Sequence, residues 1–329
     1  MVPTLSAGQA LAECLDGLSR QSWRDFEVIV VDNSGRGLVR QQHGNRDGVF
    51  ILENPGNLGF GAAVNRGFRK SAAEYVATLN DDAVPHGDWL ARLMAVAGET
   101  PEAGMWASQI RLAGRGVLDS AGLLLCRDGS SKQRGHGRDP SEFNRREEVL
   151  LPSGCAALYR RKMLQEIGLF DEDFFLYCED TDLGLRGRWA GWTCVYVPEA
   201  VIEHRYSHSA GRASALKARY VERNRLYLAV KNFPLSLLLE APFTASVRYA
   251  WHAWSLVSGR GAAGQFRGGG QSGLALPAFV LRAHWDALAH LPALWRKRRE
   301  IRRSARITAR QFRGLLALHS ISPREVAAQ

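Results

Sequence analysis

The sequence contains few cysteines, and none of them stands in a CxxC pair. The five are scattered along the chain at Cys14, Cys126, Cys155, Cys178 and Cys194. Zinc sites and disulfide frameworks both need cysteines at regular or short spacings, so neither is predicted. We therefore expect a reducing compartment, the cytoplasm.

Long apolar runs are also missing. The chain starts Met1-Val2-Pro3-Thr4, without the basic region and apolar core of a secretory signal, so no signal peptide is predicted. No stretch of about 18 residues lacks both charge and proline. The best candidate, residues 233–247, is interrupted by Pro234, Glu240 and Pro242. No membrane-spanning helix is predicted.

Acidic residues are scarce in the last part of the chain. Residues 1–204 hold 22 Lys/Arg and 28 Asp/Glu, whereas residues 205–329 hold 21 Lys/Arg and 5 Asp/Glu. The net charge of +10 thus combines an acidic part of −6 with a basic part of +16. We predict two regions with different tasks, a catalytic domain over 1–210 and a helical, basic region over 211–329.

Short apolar runs alternate with helical patterns near the start of the chain. We predict strands at 27–32, 49–52 and 75–79, separated by helices. This alternation predicts an α/β fold with a mostly parallel sheet flanked by helices. Ligands of such sheets bind beyond the carboxyl ends of the strands, where Asp32 and Asp81-Asp82 stand. Residues 111–150 are polar, charged and rich in glycine, with weak strand signals near Val117 and Leu123-Leu125, so we predict mainly a mobile loop there.

Two acidic pairs, Asp81-Asp82 and Glu179-Asp180, are well separated in the sequence. Transfer of a sugar from a nucleotide diphosphate needs two kinds of carboxylate. One kind holds a hard divalent cation, which stabilises the departing diphosphate. The other accepts the proton of the attacking hydroxyl and must not itself be bound to the metal. The chain offers a candidate for each.

Ordered motifs within about residues 1–232 resemble those of family 2 glycosyltransferases. Three segments resemble the donor-site motifs of that family. They are Asp32-Asn33-Ser34, Asn57-Leu58-Gly59-Phe60-Gly61 with Asn65 and Gly67, and Leu79-Asn80-Asp81-Asp82. A second set of segments resembles the acceptor-site block of the rhamnosyltransferase-like and galactofuranosyltransferase-like branch. These segments are Ser153-Gly154, Phe170-Asp171-Glu172, Phe174-Phe175, the run from Glu179 to Arg186, Pro198 and His204. Each motif alone is a weak signal, and their joint order and spacing carry the resemblance. It implies a GT-A fold.

The resemblance implies a nucleotide-sugar site built from the first motifs. Asp32 would bind the nucleobase, and Gly59 and Phe60 would pass close to the nucleotide. Asn80 stands where relatives often have the first aspartate of a DxD motif, and an amide suits a ribose hydroxyl better than a metal. The full implied set is Pro3, Thr4, Asp32, Asn33, Gly59, Phe60, Asn80 and Asp81.

The resemblance also implies the metal ligands and the base. Asp82, at the last DxD position, and His204 would hold a divalent metal, Mn²⁺ or Mg²⁺, and imidazole suits Mn²⁺ better. Asp180 matches the catalytic base, and in-line attack assisted by it would invert the anomeric centre. Gly154 and Glu179 would contact the acceptor or the sugar.

Each motif has a purely structural alternative. Asp32 can cap the following turn or helix, and residues 57–67 can be an ordinary glycine-rich turn into a helix. Asp81-Asp82 before a proline turn is often solvated loop. The acidic run 179–182 suits a helix N-terminus, where negative charge favours the helix dipole. Asp182 is the member of this run that we assign to structure.

The start of the chain departs from the family pattern. Relatives have a full apolar strand before the Pro-Thr step, whereas only Met1-Val2 precedes it here. We expect that the native N-terminus lies upstream of Met1. Without those residues, the first strand would be expected to fray and the nucleobase pocket to weaken.

The basic region has three competing interpretations. Aromatic-rich helices with Lys/Arg clusters, here residues 296–303, favour an anionic membrane surface. Nucleic-acid binding, or a solvated helix face with an oligomer contact, are the alternatives. Interleaved aromatics favour the membrane over nucleic acid; they are Tyr249, Trp251, Trp254, Trp285 and Trp295. We expect a peripheral location on the inner face of the cell membrane, and no binding of nucleic acid.

Together these inferences predict an inverting glycosyltransferase that uses a UDP- or dTDP-linked sugar, rhamnose by resemblance. The acceptor would be lipid-linked or a glycan in cell-wall or surface-polysaccharide synthesis. A nucleotidyltransferase is the alternative enzyme, but residues 5–9 lack the Lys or Arg of a triphosphate loop. A catalytically inactive membrane-binding scaffold is the non-enzymatic alternative. The presence of Asp82, Asp180 and His204 together disfavours it.

Overall fold

The computed structural model describes residues 1–205, 215–258 and 275–328. The chain divides into two compact units. The first comprises the described residues of Met1–Leu123, Gln133–Gly187 and Trp192–Ser209, and the second comprises those of Leu124–Lys132, Arg188–Gly191 and Ala210–Gln329. The division of tasks between residues 1–210 and 211–329 stays a prediction.

The strands and first helices follow one another along the chain in an α/β alternation. The strands are β1 (Val2–Thr4), β2 (Val28–Asp32), β3 (Val49–Glu53), β4 (Tyr75–Leu79), β5 (Ala83–Pro85), β6 (Ala103–Leu112), β7 (Leu118–Ser120), β8 (Leu123–Leu125), β9 (Ser131–Gln133), β10 (Glu147–Glu148), β11 (Ala156–Arg160) and β12 (Thr193–His204). The helices are α1 (Gln9–Ser19), α2 (Leu38–His43), α3 (Phe60–Lys70), α4 (Trp89–Glu99), α5 (Arg161–Ile167) and α6 (Glu179–Trp189).

Two neighbouring sheets form the centre of the first unit. In the first sheet β1, β2 and β3 pair in parallel. β1 neighbours β4 of the second sheet, because the Leu79 N–H donates to the Met1 C=O over 3.0 Å. The second sheet is mixed and has the order β4, β11, β6, β12, β10; β6 and β12 pair in parallel, and β11 and β10 are antiparallel to their neighbours. The predicted fold is confirmed, and β1 is paired along all three of its residues instead of frayed.

Apolar side chains fill the layers between this sheet and its helices. β2 is buried along its whole length, which explains its unbroken apolar run. α1 buries Leu11, Leu15 and Leu18, and α4 buries Leu90 and Leu93, at the spacing of one helix face. Burying each such side chain contributes about 1.5–3 kcal/mol. This core supports the loops at the carboxyl edge of the sheet.

Residues 111–150 contain short strands beside the weak strand signals as well as loop. β7 pairs antiparallel with β6, with Ser120 opposite Ile110, and β8 occupies the weak strand signal at 123–125. The middle residue of β7, Asp119, is 2% exposed. A glycine-rich, polar segment thus places a carboxylate in the interior of the first unit.

Helices dominate the second unit. They are α7 (Ala215–Asn232), α8 (Leu235–Ser258), α9 (Ala275–Ala289), α10 (Leu291–Arg303), α11 (Ala309–Leu318) and α12 (Pro323–Ala328). In its core Trp189 stacks on Phe312, with ring centroids 4.0 Å apart. No helix among the described residues is both long and apolar enough to cross a membrane.

Part of the basic cluster at residues 296–303 has a structural task. Arg298 donates to the C=O of Val230 and Arg302 to that of Asn232, each over 2.8 Å. These carbonyls belong to the last turn of α7, where they have no partner within the helix. The two arginines therefore complete the end of α7 instead of facing a ligand.

Candidate active site

Asp32 lies at the end of β2, opposite Thr4 of β1. Its buried carboxylate accepts hydrogen bonds from the N–H groups of Ser34 (2.8 Å) and Val39 (3.0 Å). Burial by itself would raise the pKa of Asp32, but hydrogen bonds from the Ser34 hydroxyl and these backbone groups lower it. Asp32 thus organises the turn into α2, as the structural alternative predicts. Its contact with a nucleobase stays a prediction.

The loop before α3 is held by two asparagines. The Asn33 side chain donates to the Gly59 C=O over 3.2 Å, and the Asn57 side chain accepts from the Gly59 N–H over 2.9 Å. Gly59 has φ +87°, and a Cβ there would lie 2.2 Å from the carbonyl oxygen of Phe175. The Phe60 N–H donates to that same oxygen over 3.0 Å. Only glycine permits this close approach.

The turn after β4 lies at the same edge of the sheet. The Asn80 N–H donates to the Cys155 C=O over 2.8 Å, and the Asp81 carboxylate is hydrogen-bonded to the Thr4 hydroxyl. Pro3 lies inside β1, opposite Val31. The strand ends therefore bring the predicted nucleotide-sugar residues into one region, while their contact with a ligand stays a prediction.

Asp82 begins a chain of four acidic and imidazole side chains. Asp82 Oδ1 lies 3.2 Å from His204 Nε2, and His204 Nδ1 lies 2.7 Å from Asp119 Oδ2. Asp119 Oδ1 in turn lies 3.1 Å from His136 Nδ1. Burial would lower the pKa of His204, but Cys155 beside it and hydrogen bonds to Asp119 and Asp82 raise it well above its usual value. The sequence predicted Asp82 and His204, but not Asp119 or His136.

The Asp82–His204 pair has the spacing of two neighbouring ligands of one cation. In an octahedral site with ligand distances of about 2.1 Å, adjacent ligand atoms lie about 3.0 Å apart. Asp119 on the other ring nitrogen orients the imidazole, as carboxylates commonly do for metal-binding histidines. In the part of the chain that the structure describes, no group of three or more His, Cys, Asp or Glu side chains could hold a metal ion.

Asp180 lies in the first turn of α6, half-buried. Its Oδ2 accepts from the Gly154 N–H over 2.9 Å, and its Oδ1 accepts from the Thr181 N–H over 2.6 Å. Burial raises the pKa of Asp180, and the hydrogen bonds from Gly154 and Thr181 oppose that rise. The carboxylate is thereby fixed in orientation while it keeps lone pairs for a further partner.

Glu179 is 7% exposed, and its Oε2 has no hydrogen-bond partner among the described residues. Burial, with repulsion from Asp180, raises the pKa of Glu179 to about 8. At neutral pH this side chain is mostly a neutral acid that can donate a hydrogen bond. Such buried unsatisfied groups indicate a bound ligand or water.

Asp182 has the structural role predicted for it. It is fully buried, and its carboxylate accepts from Arg186 Nε over 2.9 Å. Arg186 also donates to the carbonyls of Ile167, Gly168 and Leu169. The ion pair thus holds the segment before α6 in place.

The segment Gly154-Cys155 connects the two acidic sites. Its Gly154 N–H binds Asp180, its Cys155 C=O accepts from Asn80, and the Cys155 side chain contacts His204. Residues far apart in the sequence thereby meet along one short stretch of backbone. The arrangement offers a pair of side chains that could hold a cation and, in the same region, a separate oriented carboxylate, the two elements that group transfer from a nucleotide diphosphate requires.

This fold and this combination of groups are those of a glycosyltransferase of the GT-A type. The family model described as "Glycosyl transferase family 2" matches residues 1–168. An N-acetylglucosaminyl-diphospho-decaprenol L-rhamnosyltransferase of Mycobacterium tuberculosis is 33% identical over 243 residues, which cover 66% of this chain and 79% of that protein. The chain belongs to glycosyltransferase family 2 and is a glycosyltransferase, as the motifs predicted.

Two solved structures share the fold. One is the mannosyltransferase PcManGT from Pyrobaculum calidifontis, solved with GDP-Man and Mn²⁺. It matches with a TM-score of 0.55 at 19% sequence identity, and the match covers 96% of this chain and 84% of the PcManGT chain. GalNAc-T7, solved with UDP, GalNAc and Mn²⁺, also has a TM-score of 0.55, at 13% identity. The match spans 70% of this chain and 49% of that longer protein. At these identities the likeness supports the fold alone.

Proposed function

We propose that this chain transfers a sugar, with inversion, from a nucleotide-diphosphate sugar to a lipid-linked or glycan acceptor in cell-surface polysaccharide synthesis. One observation carries the proposal: the two residues Gly154-Cys155 contact Asp180 on one side and His204 of the Asp82–His204 pair on the other. The name of the mycobacterial relative supports rhamnose as the sugar and a prenyl diphosphate sugar as the acceptor class.

Asp180 is the proposed general base. Two backbone N–H groups hold its oxygens, so a further lone pair of the carboxylate can accept the proton of the attacking hydroxyl. Its raised pKa brings it nearer to neutrality, where a base both stays ionised and takes up a proton effectively. Direct attack with this base on the face opposite the leaving group would invert the anomeric centre.

Asp82 and His204 are the proposed protein ligands of a divalent cation. When bound, the cation would neutralise the charge that develops on the departing diphosphate. An imidazole in the ligand set favours Mn²⁺ over Mg²⁺. Asp119 keeps the His204 ring in its orientation, so it is a positioning residue of the same site. The strand ends with Thr4, Asp32 and Asp81 are the proposed binding region of the nucleotide.

Glu179 is the proposed hydrogen-bond donor to a hydroxyl of the sugar or of the acceptor. Its Oε2 has no partner among the described residues and its pKa is raised, so the carboxyl group is neutral and can donate a hydrogen bond to an oxygen of the ligand. The Gly154 amide already binds Asp180, so we propose that Gly154 contributes space instead of a further hydrogen bond. A Cβ at this position would lie 3.1 Å from the Asp180 Cβ.

The test combines donor screening with one substitution. UDP-, dTDP- and GDP-linked sugars are screened with Mn²⁺ for thermal stabilisation and for donor hydrolysis. Asp180→Asn should keep donor affinity within about twofold and lower turnover by a factor of about 10²–10⁴. Asp173→Asn, at an exposed position before α6, is the control and should behave as wild type. Near-normal turnover of Asp180→Asn would exclude it as the base, and a lack of any donor response would contradict the proposed reaction.

A further inference from the structure

α8 carries a continuous apolar face that is exposed. Its large exposed apolar side chains are Leu235, Leu239, Phe243, Val247, Trp254 and Val257. With 3.6 residues per turn, these positions fall within an arc of about 120° on the helix surface. Exposed fractions reach 81% for Leu239, 77% for Phe243 and 82% for Val257. A helix of this length presents the face over about 36 Å.

No charged residue of α8 lies within this arc. Its two charged side chains, Glu240 and Arg248, lie outside it. Arg248 is buried and paired with Asp128 and Glu222, at 2.5 Å and 2.9 Å. Glu240 is paired with Arg313 at 2.9 Å. The side of α8 that carries Leu237, Ala241, Ala245 and Arg248 is thus buried, while the opposite, apolar side is exposed.

α9 repeats the pattern. Leu281, Trp285 and Leu288 follow a spacing of four and three, and are 72%, 72% and 63% exposed. Arg282 is exposed beside them. Exposed tryptophans such as Trp285 are typical of the membrane–water interface, because the ring is apolar and its N–H needs a polar partner.

α10 supplies exposed positive charge in the same unit. Arg296, Arg299 and Arg303 are exposed and spaced by three and four residues along one side of the helix, which also carries the exposed Glu300. The other arginines of this helix are those that complete α7. The exposed set gives this side of α10 a net positive charge.

We propose that the second unit binds an anionic lipid surface, with α8 and α9 lying in the plane of the interface and the arginines of α10 contacting lipid headgroups. Exposed apolar helix faces together with exposed arginines in the same unit fit interfacial helices, which combine an apolar face with Lys or Arg on the polar side. A second copy of the chain is disfavoured as occupant, because residues 205–329 carry a net charge of +16 and two such regions repel. The inference does not depend on the sugar or the cation of the proposed reaction.

The experiment uses the full chain and vesicles of phosphatidylcholine with about 30% phosphatidylglycerol, at low and high salt. The combined substitution Leu239→Ser, Phe243→Ser and Trp254→Ser should lower the vesicle-bound fraction at least about tenfold. Phe50→Ser, which removes an exposed aromatic from β3 in the first unit, is the matched control and should leave binding unchanged. Thermal unfolding checks that all variants remain folded.

A second variant separates the electrostatic part. Replacing Arg296, Arg299 and Arg303 by Gln should weaken binding to anionic vesicles about fivefold per arginine and leave binding to neutral vesicles unchanged. Binding that is equal for wild type and the α8 variant overturns the proposal. So does a wild-type dimer that the α8 variant converts to a monomer without any change in vesicle binding. The proposal is also overturned in favour of nucleic acid by a further combination of results. In that outcome an RNA competitor abolishes vesicle binding, and replacing Arg296, Arg299 and Arg303 abolishes RNA binding.

Discussion

The buried acid Glu179 makes a quantitative prediction about stability. Its pKa is raised from 4.5 to about 8 in the folded chain, because burial and the charge of Asp180 both disfavour ionisation. Between these two pH values the folded state retains a proton that the unfolded state has released. The free energy of unfolding must therefore fall as pH rises, by about 1.4 kcal/mol per pH unit. The stability that the neutral acid confers is present in full below pH 4.5 and is lost as pH approaches 8.

Glu179→Gln removes this titration and keeps the shape of the side chain. From pH 5.5 to 7.5 the variant should gain about 3 kcal/mol of stability relative to wild type. Urea unfolding of both proteins, at three pH values in one buffer system, measures this difference. Because the comparison is made at each pH, titrations common to both proteins cancel.

The control for this prediction is Glu102→Gln, at an exposed position. Its stability relative to wild type should not depend on pH. If the difference between Glu179→Gln and wild type stays constant within about 0.3 kcal/mol per pH unit, the carboxyl group is ionised in the folded chain. The proposed role of Glu179 as a donor would then be wrong.

Two further substitutions test the supports of the site. Asp119→Asn should weaken activation by Mn²⁺ about 10–100-fold, because His204 loses the carboxylate that orients its ring, and an unchanged metal titration would remove Asp119 from the site. Gly59→Ala should destabilise the chain by more than about 1–3 kcal/mol, since its Cβ would collide with the Phe175 oxygen. Gly48→Ala has a similar positive φ with open space around it, so it measures the backbone strain alone; equal thermal shifts for the two variants would contradict the collision.

The sequence was informative wherever a local pattern determined the position of a residue. β2 and β4 are short, apolar and buried, so their ends could be located, and with them Asp32 and Asp82. Parallel pairing then brings such ends to one edge of a sheet without further information. The α/β alternation and the common edge of Asp32 and Asp81-Asp82 followed from this, whereas the GT-A fold and the other donor-site residues followed from the resemblance to family 2 glycosyltransferases.

Asp119 and His136 could not be found in this way. β7 has three residues within a polar, glycine-rich segment, and no periodicity marks it. Its position depends on pairing with β6, which is a tertiary contact.

The basic cluster shows a different limit of sequence reasoning. Composition alone could not separate Arg298 and Arg302, which bind the carbonyls at the end of α7, from the exposed Arg296, Arg299 and Arg303. Each of the two buried or half-buried arginines lies only one or two residues from an exposed arginine in the same helix. The net charge of a segment therefore overstates the charge that is available to a partner, and the side on which each residue lies must be known first.

Gly154 and Cys155 contact both the proposed base and the proposed cation-binding pair. The Gly154 amide binds Asp180, and the next residue contacts both Asn80 through its carbonyl and His204 through its side chain. A Cβ at 154 would lie 3.1 Å from the Asp180 Cβ, so one of the two residues would have to shift by a few tenths of an ångström. A shift of the Gly154-Cys155 backbone would alter the contacts with Asp180, Asn80 and His204 together. The proposed base and the proposed cation-binding pair are therefore coupled through this short stretch of backbone.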